Sequence, residues 1–113
     1  MGNCIVVVQF DLSKRTQEQA IAGGTGSAPI YRGLAGRGLI RKDYLNGEAG
    51  TGGVYLWESR AAAEAWFTEA RIAELTERFG VRPLLTWYDT HVTVDNLRGE
   101  TRVNGVPLSF AAE

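Results

Sequence analysis

Two side chains able to do proton chemistry stand two residues apart in the run Gly38-Leu39-Ile40-Arg41-Lys42-Asp43-Tyr44-Leu45-Asn46. On a strand, side chains alternate between faces, so Ile40, Lys42 and Tyr44 are expected to share one face, with Leu39, Arg41, Asp43 and Leu45 on the other. A lysine drawn into a pocket can stabilise a developing oxyanion, and a tyrosine hydroxyl can hold a substrate oxygen. The competing arrangement sends Lys42 to water, or to Asp43, Glu48 or Asp89, and leaves Tyr44 as ordinary core. Tyr55, Trp57, Trp66, Trp87 and Tyr88 offer aromatic surface for a flat ligand or, alternatively, for the core and an interface. His91 is the sole histidine. Its ordinary pKa lies near neutrality, so a general base is conceivable, with Asp89 two residues away. Its place at the end of the last expected strand argues against that role and favours an exposed or interface position. With one histidine and one cysteine, a zinc or non-haem iron site of the usual kind is not expected, and a haem site is weakened, though one axial histidine could suffice.

The elements that must position these groups follow from hydrophobic period and punctuation. The β-branched run Asn3 to Asp11 predicts a strand. Thr16 and Gln19 have capping-box spacing, so a helix should start near Thr16. Its far end should fray, because Gly23, Gly24 and Gly26 each cost about 1 kcal/mol relative to Ala and Pro29 interrupts the backbone ladder. A lid over a cavity is a second use for these glycines. A phosphate loop is not, since the segment lacks the lysine of a P-loop and does not directly follow a strand. A second strand is expected over Gly36 to Leu45, a turn over Asn46 to Gly52 with Asn46 and Glu48 structural, and a third strand over Gly53 to Glu58. Ser59 caps the next helix. The stripe Ala62, Ala63, Trp66, Phe67, Ala70 slips phase into Ile72, Leu75, Phe79, which predicts a kink near Thr68 and an end at Gly80. Val81 to Thr90, with Pro83 near its start, is the fourth strand.

Strand, helix, strand, strand, helix, strand is the order of the ferredoxin-like α+β fold, an antiparallel sheet with both helices on one face. The first and third strands are apolar on both faces, so the open side needs cover, which a second copy would supply as a homodimer. Arg41 and Asp43 would then face the partner sheet. The domain is expected over residues 1–96 and an extension over 97–113, with Asn104-Gly105 as a hairpin signal, forming a loose tail or a dimer arm.

The chain has 113 residues, 44% of them hydrophobic, enough for a single core. Twelve basic and thirteen acidic residues leave a net charge of -1, which draws it to neither nucleic acid nor an anionic membrane. A small aromatic or hydrophobic molecule is the better partner. Cys4 lies in an apolar strand and reads as an inert buried thiol. No stretch approaches the length of a bilayer span and no charged leader precedes a cleavage site, so the expected location is cytoplasmic.

The segment 38–46, then Gly52-Gly53-Val54-Tyr55-Leu56-Trp57-Glu58-Ser59, then Ala63-Glu64-Ala65, together with Phe79-Gly80-Val81 and Trp87-Tyr88-Asp89-Thr90, resembles the YdhR-type monooxygenase family. That family belongs to the antibiotic-biosynthesis-monooxygenase-like dimeric α+β barrels. The likeness runs from about Tyr31 to Asn96 and departs at Gly23-Gly24-Thr25-Gly26, where the family carries an alanine-rich helix. It implies a homodimer with a cavity between sheet and helices in each subunit, and a cofactor-independent monooxygenase acting on a small aromatic or polyketide-like substrate. Lys42, Tyr44 and His91 are then the candidate catalytic residues, and Tyr55, Trp57, Trp66 and Tyr88 the candidate substrate-binding residues. A non-catalytic binding protein and a cyclase or isomerase remain the alternatives, because relatives of this architecture differ in chemistry.

Overall fold

The computed structural model describes residues 2–108, so residues 109–113 of the expected extension lie outside the described residues. The chain folds as β1 (Asn3–Phe10), α1 (Gln17–Arg32), a 3-10 turn (Ala35–Arg37), β2 (Leu39–Gly47), β3 (Gly50–Trp57), α2 (Arg60–Trp66), α3 (Glu69–Phe79), β4 (Leu84–Thr90), β5 (Val92–Asp95), β6 (Glu100–Val103) and β7 (Val106–Pro107). It is a mixed α+β structure. β1 to β4 form one antiparallel sheet in the order β2-β3-β1-β4, and β5 to β7 a second, smaller one.

Alternation along β1 decides where the core lies. Cys4, Val6, Val8 and Phe10 are buried under the helices with Tyr55 and Trp57 of β3, while Ile5 and Val7 emerge on the other side with Val54 and Leu56. Burial pushes the Cys4 thiol pKa up, which keeps it protonated and unreactive. α2 and α3 close the inner face through Ala63, Phe67 and Ile72. Their separation is real: Thr68 caps α3 by accepting from the Arg71 N–H, as Ser59 caps α2, and Gly80 at φ 78° ends α3. No helix of the described residues is long and apolar enough to cross a membrane.

α1 departs from the expected fraying. The Thr16–Gln19 capping box forms, and the helix then runs unbroken through Gly23, Gly24, Gly26 and Pro29 to Arg32. Pro29 sits on the exposed side of the helix, and the carbonyl that its missing N–H leaves without an i+4 donor belongs to Thr25, also exposed. The expected lid or frayed end is therefore a helical wall. None of its residues is fully buried, so α1 lies beside the sheet without packing tightly onto it.

Strand limits also shift. β2 starts at Leu39, after the 3-10 turn, and reaches Gly47, and the β2–β3 turn shrinks to Glu48 and Ala49. β4 starts after Pro83 at the sheet edge. The Asn104-Gly105 hairpin is present, with φ of 50° and 80°, but the small sheet begins at Val92 and so takes in residues upstream of 97.

Gly52 shows how closely β3 approaches β1. Its φ is 151°, and a Cβ there would collide with the Val8 carbonyl. Gly52→Ala is expected to lower unfolding free energy by about 3 kcal/mol or more, while Gly36→Ala, which meets open space, stays within about 0.5 kcal/mol. Urea denaturation of both variants checks the contrast.

Candidate functional site

Between α1, α3 and the inner face of the sheet lies a cavity of about 330 Å³. It exists because the stripe of α1 that faces the sheet, Ala20, Gly24, Ser27 and Tyr31 at helical spacing, is small except at its last position. Val8, Phe10 and Thr51 form its floor, with Leu75 and Phe79 of α3 closing one side.

Lys42 and Tyr44 both reach this cavity. The register of β2 against β3 shifts between Leu39 and Arg41, which makes Ile40 an extra, exposed residue. Leu39, and not Ile40, therefore shares the inner face with Lys42 and Tyr44: its cross-strand partner is Trp57, and theirs are Tyr55 and Gly53. Gly53 makes the room, since a Cβ there would lie 2.9 Å from Lys42 Cε. Arg41 and Asp43, on the opposite face, pair with each other in the same strand at 2.8 and 3.2 Å.

The Lys42 ammonium sits in a cage of rings. Nζ lies 3.4 Å from the ring centre of Tyr31, 4.0 Å from Tyr44 and 4.6 Å from Tyr55. Among the described residues no carboxylate comes within ion-pairing distance of it. Burial lowers its pKa to about 7, while the ring faces favour the charged form. Both protonation states are thus accessible near neutrality. Tyr44 Oη shares a 2.7 Å hydrogen bond with Ser27 Oγ, which fixes the ring under Gly24, where a Cβ would be in van der Waals contact with it. Burial, then the neighbouring Tyr31, raise the Tyr55 pKa far above its usual value, so its hydroxyl stays a donor.

The cavity's open end is held by Asn46. Its side-chain oxygen accepts from the Arg15 N–H at 2.8 Å and its Nδ2 donates to the Arg15 carbonyl at 3.0 Å. Asn46 is structural, as expected, but it clamps the loop before α1 and not its own turn.

The other candidates disperse. Trp57 is wholly buried behind Tyr55, nearly parallel to it at 6.4 Å between ring centres, and does not line the cavity. Trp66 packs on the far side of Tyr31, with the Arg71 guanidinium 3.5 Å over its ring. Tyr88 pairs with Ile5, which places it half-exposed on the opposite face of the sheet. His91 lies between β4 and β5, where Nδ1 is 3.0 Å from Asn104 Oδ1; Asp89 is not its partner. Strand phase separates Tyr88 from Lys42, and His91 falls beyond the end of β4 at Thr90. Tyr31, Ser27, Arg15 and Arg78 complete the cavity without having been singled out from the sequence. The spacing of residues 20, 24, 27 and 31 holds that signal, provided the helix is allowed to run through its glycines.

The chain matches no protein-family model and no curated protein.

Replacing Lys42 by Met tests the half-buried amine directly. In the wild type, the unfolded chain binds the Lys42 proton up to about pH 10.5 and the folded one only up to about 7, so this group lends stability that is present above pH 10.5 and is lost as pH falls to 7. Lys42→Met should therefore be more stable than wild type by roughly 1–3 kcal/mol at pH 6, allowing for partial solvent screening, with the difference gone near pH 10. Denaturant titrations of both proteins across this range measure it.

Proposed function

We propose that the protein is a cofactor-independent monooxygenase that takes a small aromatic substrate into the cavity under α1, with Lys42 as base and Tyr44 as the group that orients the substrate oxygen. The observation that supports it is a lysine amine with no carboxylate partner among the described residues, caged by three tyrosines in a cavity of ligand size. A neutral amine can take the proton of an acidic phenol or enol, and the resulting ammonium then faces the anion it has created. The anion passes an electron to dioxygen, the radical pair joins to a peroxide, and loss of water leaves a carbonyl. In sum, a CH2 group and O2 give C=O and water, so the substrate supplies all the electrons. The resemblance of residues 38–59 to YdhR-type proteins favours this chemistry over proton transfer alone.

The same reading treats the sheet order β2-β3-β1-β4, with α2 and α3 as one broken helix, as a ferredoxin-like module. Its open face carries Ile5, Val7, Val54 and Leu56, which one chain covers only in part, and Tyr88, which it leaves exposed. A second copy related by two-fold symmetry would cover it.

Two measurements test these proposals. Oxygen uptake with a panel of anthrone and naphthol substrates should rise with pH through about 7, fall at least 100-fold in Lys42→Met, and fall about 10-fold in Tyr44→Phe, both variants remaining folded by circular dichroism. Uptake that ignores both substitutions removes Lys42 and Tyr44 from the reaction. Product formed without oxygen replaces the oxygenase by an isomerase or cyclase. For the assembly, sedimentation should show a dimer that Val54→Glu converts to a folded monomer; a monomeric wild type overturns it.

A further inference from the structure

The cavity under α1 carries cations and no anions. Lys42 lies inside it, Arg15 and Arg78 are exposed at its rim, and no Asp or Glu lines it among the described residues. This is a local excess in a chain whose net charge is -1. It is also an unpaired one. Lys14, Arg41, Arg60, Arg71, Arg82, Arg98 and Arg102 each have a carboxylate within 4.0 Å, whereas Lys42, Arg15 and Arg78 have none among the described residues. Arg32 and Arg37, at the far end of α1 and in the 3-10 turn, lie outside this cavity.

Two further details show that the rim cations are placed. Arg15 is fixed through both backbone polar groups by Asn46, and its guanidinium lies over the bare backbone of Gly23, where a Cβ would come within 2.8 Å of Nη1. Arg78 comes from the last turn of α3, whose carbonyl end favours a cation there. The two therefore approach the opening from different elements. Guanidinium groups suit a planar carboxylate, which can accept two parallel hydrogen bonds.

We propose that the ligand of this cavity is an aromatic or enolic carboxylate, with its ring against Tyr31, Tyr44 and Tyr55, its hydroxyl oxygen at Lys42, and its carboxylate toward Arg15 and Arg78. This names the substrate class of the site described above and so rests on the cavity, though not on the oxygen chemistry. Three unpaired cations steer an anion inward and offer a neutral molecule nothing equivalent.

Titration calorimetry with three probes tests this: 3-hydroxy-2-naphthoate, its neutral amide and 2-naphthol. The acid should bind at least 10-fold more tightly than either neutral probe. Arg15→Gln and Arg78→Gln, both at exposed positions, should each weaken the acid about 5-fold to 20-fold and leave the amide unchanged. Arg37→Gln, outside the cavity, should change neither. Equal affinity for acid and amide, insensitivity to both rim substitutions, or no heat with the acid overturns the proposal. Tight, arginine-dependent acid binding without oxygen uptake keeps this inference and removes the oxygenase; brisk uptake with 2-naphthol but no preference for acids does the reverse.

Discussion

A half-buried amine without a counter-ion among the described residues is the constraint around which half of this molecule is arranged. A lysine inside an apolar fold is costly unless something replaces the water it loses. Here the replacement is three tyrosine faces, and each needs its own accommodation. Tyr44 requires Gly24 on α1 to come close and Ser27 to hold its hydroxyl. Lys42 requires the missing side chain of Gly53 and the bulge at Ile40, which sets the phase of the strand. Tyr31 must then stand at the end of the small-residue stripe, edge-on to Tyr44, Tyr55 and Trp66. The standing-off of α1 is the sum of these demands.

The inner layer is consequently unequal. Under α2 and α3, Trp57, Phe67, Ala63 and the buried residues of β1 pack as a continuous aromatic and aliphatic core. Under α1 there is a cavity in its place. A domain this small has little stability to spare. Concentrating the core under one helical pair leaves the other helix free to serve as a wall, secured mainly at polar points: the Asn46 clamp, the Thr16 cap and the Ser27–Tyr44 bond.

This inequality also explains what could be read in advance. Strands β1 and β3, the Ser59 cap, the break at Thr68, the helix end at Gly80 and the Asn104-Gly105 turn rest on local rules, and each is present. α1 was obscured because propensity charges every glycine against the helix and cannot see that glycine is what lets Tyr44 approach. The face of Ile40 was obscured because alternation assumes no bulge. Arg41 and Asp43 gave no sign that they pair with each other along one strand. Lys42, Tyr44 and Tyr55 were legible because polar and aromatic residues in a strand otherwise suited to a core ask for an explanation. Tyr88 and His91 raised the same question, but their answers lie in sheet phase and in the small sheet.

Trp57 gives the chain an optical property that its chemistry does not require. Its indole is wholly buried, its Nε1 has no hydrogen-bond partner among the described residues, and it lies 11° from parallel to Tyr55, whose other side borders the cavity. An indole in so dry a place emits far to the blue of Trp66 and Trp87, which are only partly covered. One ring removed from the cavity, it can register by emission what happens there without touching the occupant.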